Sequence, residues 1–347
     1  MIKFYEPKQP YFEFSNYYTH KIVIDGIAYP SSEHYYQSQK FSQSGASSES
    51  LEYASIIANA KTPNIARELA SQKIKGGYKW RTDLNEIIKK YRGVFVCEAW
   101  DDIKDNIMRK VVWHKFNNPK LKDLLLSTGN AKIAENSPRD GYWGIGKDGK
   151  GENMLGKILM ECRFLLSNGN LGEYELPFQR SNWIIPNVLL ASAYPGEAGE
   201  KHHSIYNNLI SFGINSFVNL MEWKELKKFQ RYENVLKEGD ICKVENNIFF
   251  SSLPIKDRSI TTDKHLNDIA DAVITLIERK RVILIHCFGG KGRTSTVVSM
   301  VLCKLYGMSG KETIELVTKL YEKRPDKGKK PFVIHKTQQN QIIRLCK

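Results

Sequence analysis

The chain has 347 residues, 52 Lys and Arg against 38 Asp and Glu, and so a formal charge of 52 − 38 = +14. Its apolar fraction of 41% and charged fraction of 26% argue against long-range disorder, and its length suits two domains. The longest apolar runs, such as Val282–Ile285, fall well short of the roughly 18–20 residues a membrane span needs, so no membrane association is expected.

The opening Met1–Pro7 carries no apolar core and no small-residue cleavage site, so no secretory signal is expected there. Six cysteines, at 97, 162, 242, 287, 303 and 346, include no C-x-x-C pair. They read as reduced thiols of a cytoplasmic protein, with no zinc site. The positive charge favours anionic partners: phosphate esters, nucleotides or nucleic acid. Its densest local run is Lys327-Gly328-Lys329-Lys330, and no nucleic-acid-binding motif accompanies it.

In chain order, Lys21–Ile24 reads as a strand ending in an Asp25-Gly26 turn. Ser31–Phe41, Ser50–Ala60 and Ile103–Phe116 read as helices. The stretch 140–156 holds glycines at 141, 144, 146, 149, 151 and 156, which predicts a long loop with special dihedrals or close backbone approach. Met154–Leu166 is an amphipathic helix by its spacing. Residues 169–182 then read as a linker between domains 1–168 and 183–347. Beyond it, short apolar strands (188–191, 216–220, 248–251, 282–285) alternate with helices (204–212, 263–279, 294–305). That alternation predicts an α/β domain with a parallel or mixed central sheet flanked by helices. The first half reads as mainly helical α+β.

The segment His286-Cys287-Phe288-Gly289-Gly290-Lys291-Gly292-Arg293-Thr294 follows an apolar strand and precedes an apolar helix. Glycines let main-chain N–H groups of residues 288–292 converge on an anion, and a helix N-terminus adds its dipole. Arg293 offers a fork for two phosphate oxygens. The same groups favour the thiolate of Cys287, which makes it a nucleophile. This segment resembles the Cys-x5-Arg-Ser/Thr signature of protein tyrosine and dual-specificity phosphatases. The resemblance, over roughly 180–347, implies a phosphocysteine on Cys287, Arg293 on the equatorial oxygens and the Thr294 hydroxyl helping the thiolate leave. It implies an upstream general acid, for which Asp257 stands 30 residues before Cys287 after Leu253-Pro254. Asp263 and Asp268 are weaker candidates that suit capping or solvent. His286 reads as a buried orienting residue, and Gln338 or Gln341 as a positioner of water.

The first half offers Ser31–Phe41, where Glu33, Gln37 and Lys40 fall at i, i+4 and i+7 on one helical face. By spacing alone this is equally a solvated face. Phe14-Ser15-Asn16-Tyr17, Tyr29–Phe41, Trp100–Arg109, Lys115-Phe116, Ala134–Gly144 and Gly149–Gly156 together resemble the NADAR family of YbiA-like N-glycosidases, over residues 2–166. That resemblance implies hydrolysis of an N-glycosidic bond in a ribosylated or ADP-ribosylated base, such as a riboflavin-pathway intermediate. It makes Glu33, Glu135 and Asp140 the candidate carboxylates. Trp100 and Trp143 become candidates for stacking, and Asn16, Gln37, Lys40 and Asn153 for holding hydroxyls and phosphate. The family's short Gly-Arg segment is missing from Ala66–Ala70, with Arg67 or Arg81 the replacement cations.

Neither chemistry calls for a metal or a cofactor. Three readings remain open at this point. The first is a bifunctional hydrolase whose halves share a phosphate-bearing small molecule. The second is a signalling enzyme acting on phosphoproteins and ADP-ribose. The third is a nucleotide- or nucleic-acid-binding module with vestigial sites.

Overall fold

The structure, a computed structural model, describes residues 1–71, 82–172, 174–195, 202–229, 232, 248–326, 332 and 334–346. Residues 72–81 with Arg81, Cys242 and the run 327–330 lie outside the described residues. The chain forms two compact units, Met1–Arg163 and Phe164–Lys347.

Unit 1 is mainly helical. Strand β1 (Ile2–Phe4) pairs in parallel with β4 (Ile133–Glu135), setting Phe4 opposite Glu135. A hairpin joins β2 (Ile22–Ile24) to β3 (Ile27–Tyr29) through Asp25 and Gly26, both at positive φ, as the Asp-Gly pair predicts. The helices are α1 (Ser32–Ser38), α2 (Ser48–Ala58), α3 (Pro63–Ser71), α4 (Thr82–Lys90), α5 (Trp100–Phe116), α6 (Pro119–Ser127) and α7 (Met154–Leu166). Helix α1 is buried at every position. It packs against α2, α3 and α5. It stops at Ser38 rather than at Phe41, so Lys40 follows in a turn and not on the helical face.

Phe41, Tyr53, Ile57, Leu69 and Tyr91 build one apolar cluster behind it. A buried bidentate pair, Arg109 Nε and Nη2 to Glu161 at 2.8 and 3.1 Å, ties α5 to α7. The Lys115 ammonium is buried with the Ser15 carbonyl at 2.8 Å, and burial pushes its pKa down to about 7.

The glycine-rich loop is a close-packed structure. Gly151 N–H donates to Ile145 O at 2.8 Å and Glu152 N–H to Gly141 O at 2.7 Å. A Cβ at Gly144 would lie 2.7 Å from Glu135 O, and one at Gly156 2.3 Å from Ile133 O. Close approach, more than special dihedrals, is why those two positions are glycine.

Unit 2 centres on a five-stranded sheet in the order β5-β6-β9-β7-β8. Its strands are β5 (Ser181–Ile185), β6 (Leu189–Ser192), β7 (Ser216–Asn219), β8 (Phe249–Ser252) and β9 (Ile283–His286). β5 runs antiparallel to β6, and the other neighbours are parallel. The apolar run Ile283-Leu284-Ile285 takes the central position, flanked by β6 and β7, as a strand buried on both faces should.

Its helices are α8 (His202–Ser211), the short α9 (Trp223–Leu226), α10 (Asp263–Glu278), α11 (Gly292–Tyr306), α12 (Gly310–Tyr321) and α13 (Lys336–Leu345). Helix α11 is buried through most of its length and ends at Gly307 in the left-handed region. Thr262 caps α10, and a Ser309–Glu312 capping box opens α12.

By internal contacts the chain divides within α7, after Arg163, and Phe164 packs on Tyr174 of unit 2. The last residues of the stretch 169–182 carry structure of their own. Phe178 is buried, Ser181 Oγ donates to its carbonyl at 2.7 Å, and Ser181 and Asn182 already belong to β5. Among the described residues no helix is long and apolar enough to cross a membrane.

Candidate functional sites

In unit 2, β9 delivers Cys287 directly beyond its carboxyl end, 3% exposed. The following loop turns its carbonyls outward. Phe288 O accepts from Tyr194 N at 3.0 Å and Lys291 O from Ser295 N at 2.8 Å. Among the described residues the N–H groups of Phe288, Gly289, Gly290 and Lys291 have no acceptor. In a trans peptide the C=O and the following N–H point opposite ways. The two anchored carbonyls therefore turn the Gly289 and Gly292 N–H groups the other way, a geometry that suits an anion cradle. Gly290 has φ +63°, and a Cβ there would lie 2.4 Å from the Ser192 carbonyl group. Gly289 has open space, and Gly292 packs on Gln338. Phe288 is 43% exposed at the rim, 5.8 Å from Phe229.

Arg293 is buried, and its fork is fully held. Nη1 and Nη2 donate to Glu225 at 2.6 and 2.8 Å, Nη1 also to Ile255 O at 3.2 Å, and Nη2 meets Asp257 Oδ1 at 2.9 Å. Burial alone would raise the Glu225 carboxyl, but the Arg293 fork outweighs it and holds the group below the usual carboxylate range. Asp257 is 56% exposed, so it is placed beside the cradle and open to solvent. Among the described residues, the buried Thr294 Oγ1 has no partner.

His286 is fully buried, its Nε2 2.9 Å from Tyr232 Oη. Burial pushes its pKa down to about 3, with the Arg293 charge adding to the effect and the Cys287 carbonyl opposing it. The ring is therefore neutral at physiological pH. Gln338 Nε2 donates to Ser259 O at 3.1 Å, and its side chain lies on Gly292. Gln341 instead bonds Thr261 O and Asp263. Asp263 also holds Arg344, and Asp268 pairs with Lys264.

In unit 1, α1 buries Glu33 to 5% exposure, and Gln37 Nε2 donates to its Oε1 at 2.8 Å. Glu33 N–H donates to Asn16 O at 3.2 Å. Among the described residues, the buried acceptors Asn16 Oδ1 and Gln37 Oε1 have no donor. Burial raises the Glu33 pKa, while Gln37, Lys40 and Arg67 pull it back and Asp140 adds to the rise. Arg67 Nη1 donates to Tyr17 Oη at 3.2 Å. Glu135, at the end of β4, has no such counterweight. Burial, then Asp140 and Glu33, push it up to about 8. Lys40 lies 5.7 Å from the Trp100 ring and 6.0 Å from Tyr36, and burial lowers its pKa despite Glu33. Tyr36 stands edge-on to both Trp100 and Trp143, at 5.1 and 5.5 Å.

The structure thus groups Glu33, Glu135, Asp140, Gln37, Lys40 and Arg67 electrostatically, with Asn16 bonded alongside. Two candidates have local structural duties. Asp140 Oδ1 accepts from the N–H of Tyr142 and Trp143 at 2.9 and 2.8 Å, which shapes the loop. The Asn153 amide is spent on β4, accepting from Glu135 N and donating to Ile133 O. Sequence reasoning missed Glu225, Tyr17 and Asp105, whose carboxylate accepts from Tyr142 Oη at 2.6 Å. Only Glu225 left a trace, as the third helical residue of a Glu222–Glu225 capping box.

Residues 3–167 match the NADAR domain family, and residues 178–343 match the family described as Swiss Army Knife protein, DSP-PTPase phosphatase domain. The chain is 34% identical over 164 residues to the N-glycosidase YbiA of Escherichia coli K12, covering 47% of this chain and 86% of that protein. It is 34% identical over 163 residues to a riboflavin biosynthesis protein of Vibrio vulnificus, covering 47% of this chain and 37% of that one. Among solved structures, a kinase-associated phosphatase with its catalytic cysteine replaced by serine aligns at 24% identity and a TM-score of 0.36, covering 44% of this chain and 83% of that chain.

Proposed function

For a chain that belongs to the NADAR family through residues 3–167 and carries a DSP-PTPase phosphatase domain over residues 178–343, we propose two successive hydrolyses of one phosphate-bearing ribosyl compound. Unit 1 cleaves the bond between ribose and base. Unit 2 removes a phosphate ester, with the sugar phosphate released by unit 1 as its substrate. The observation that carries the first step is the cluster of Glu33, Glu135 and Asp140 beside Lys40 and Arg67: burial raises both Glu33 and Glu135, the latter up to about 8, so a carboxylic acid that keeps its proton at neutral pH stands next to a second carboxyl group.

Glu135, protonated at neutral pH, gives its proton to the departing base nitrogen as the C–N bond breaks. Glu33 stabilises the oxocarbenium-like carbon and takes a proton from the water that adds to it. Lys40 and Arg67 suit the substrate phosphate, and Trp100 and Trp143 the base.

In unit 2 the Cys287 thiolate attacks phosphorus. The P–O bond breaks, and Asp257 protonates the leaving oxygen. Water then attacks the phosphocysteine, Asp257 takes its proton, and the S–P bond breaks with the Thr294 hydroxyl donating to the departing thiolate. Bound phosphate replaces Asp257 at Nη2 of Arg293, which frees the carboxyl to work as an acid. The proposed setting is the cytoplasm, supported by the free thiols of Cys97, Cys162, Cys287, Cys303 and Cys346.

Mass spectrometry of reactions with the phosphoribosylamino-pyrimidine intermediate of riboflavin synthesis tests this reading. Wild type should release free base and ribose, Cys287→Ser should stop at ribose 5-phosphate, and Glu33→Ala should release no base. Failure of every form to release base sinks the riboflavin substrate. Phosphoproteins and ADP-ribosylated bases are then the substrates to try.

A further inference from the structure

The buried cation Arg324 plays no part in the steps above. It lies in the turn after α12, and its side chain is wholly inaccessible. Burying a guanidinium is costly unless partners surround it. Its Nε and Nη2 donate to the two oxygens of Asp326 at 2.8 and 2.9 Å. The guanidinium lies 4.7 Å from the Tyr321 ring. Its remaining nitrogen, Nη1, points at the Gly290 carbonyl of the phosphate loop at 3.5 Å, a long contact that relies on charge more than on ideal geometry. Asp326 also meets Arg180 Nε at 3.4 Å. The Arg180 carbonyl in turn accepts from Ala193 N at 3.0 Å, one residue before the Tyr194 N–H that anchors Phe288 O.

We propose that Arg324, locked by Asp326, is a positioning residue that holds the Gly290 carbonyl outward and thereby aims the Lys291 N–H into the phosphate cradle. The peptide plane supplies the lever. Carbonyl 290 and N–H 291 belong to one rigid trans unit, so fixing one fixes the other. Gly290 needs an external hold. It sits in the left-handed region, and its carbonyl has no main-chain partner among the described residues. The flanking carbonyls of Phe288 and Lys291 are held by backbone; Gly290 is held by a side chain. The inference rests on the phosphatase reading for its consequence in turnover, and on geometry alone for its consequence at Cys287, which opens the loop that Arg324 holds.

The test uses the full chain and two readouts: hydrolysis of para-nitrophenyl phosphate, and the rate at which iodoacetamide alkylates Cys287 at pH 6.5, followed on the Cys287 peptide by mass spectrometry. Asp326→Asn is close to isosteric at a partly exposed site, so it should fold. It should lower kcat by about 10- to 100-fold, the usual scale for a displaced catalytic element. It should also slow Cys287 alkylation several-fold. Arg324→Lys, which keeps the charge and loses the fork, should behave alike, and Asp326→Glu should recover part of both. Wild-type kcat and alkylation in Asp326→Asn and Arg324→Lys overturn the proposal. So does a lower melting temperature with unchanged alkylation. A wild-type protein that fails to hydrolyse the ester removes the phosphatase reading, while the alkylation comparison still decides the positioning role.

Discussion

In unit 2 the buried charge, Arg293, is met by Glu225, Asp257 and a carbonyl; in unit 1 the half-buried acid, Glu135, is met by other carboxylates. The first arrangement fixes a charge in place and keeps it ionised. The second pushes a proton onto a group that would otherwise lose it. Phosphoryl transfer needs permanent positive charge around a developing anion. Glycoside cleavage needs a carboxylic acid that is still an acid at neutral pH. Burial serves both ends, and the sign of the neighbours decides which one results.

The sharpest way to break the comparison is to remove one centre and read both activities. Cys287→Ser should cut phosphate release by about 10⁴-fold or more, as loss of a covalent nucleophile does, and leave base release untouched. Glu33→Gln should cut base release by about 10²- to 10⁴-fold, with para-nitrophenyl phosphate hydrolysis unchanged. Gly290→Ala should cost the phosphatase about 100-fold, because the added Cβ meets the Ser192 backbone and forces the loop to shift.

pH sharpens the contrast further. Base release should fall as pH rises through about 8, where Glu135 loses its proton, and Glu135→Gln should abolish that alkaline limb. The folded chain holds this proton more tightly than the unfolded one, so the associated stability is complete at low pH. It drains away as pH rises from the unfolded value toward about 8. The smallest effect expected is from Glu225→Gln, which weakens one of the anionic partners of Arg293. It should lower phosphatase kcat by about tenfold, measured on the same aryl phosphate.

The phosphate loop was legible because seven consecutive residues and the strand before them carry it. The strand, the glycine at 290 and the arginine all stand where the spacing put them. Glu225 was not legible because it comes from a four-residue helix 68 positions upstream of Arg293. Arg324 and Asp326 sit in a turn whose sequence, Arg-Pro-Asp, reads as surface. In unit 1 the carboxylates come from α1, β4 and a loop, and no local periodicity joins them. The NADAR resemblance supplied that grouping. It could not say that Asn153 is consumed by β4, or that burial and Asp140 push the Glu135 carboxyl up to about 8. Those distinctions depend on which neighbours a fold brings within reach. The stretch 169–182 has the turn-rich composition of a linker, and composition alone does not show that Phe178 is buried or that Ser181 Oγ bonds its carbonyl.

The glycine-rich loop of unit 1 bears on how such an enzyme can change over time. A loop rich in glycine is commonly the place where insertions and new specificities gather. Here Gly144 and Gly156 face neighbouring carbonyls at distances no side chain tolerates, and Gly151 would meet Gly144 O at 2.5 Å. The segment that shapes one wall of the carboxylate cluster is therefore closed to drift. A change of substrate is less obstructed elsewhere in unit 1, such as around Arg67, which bonds Tyr17 and acts on Glu33.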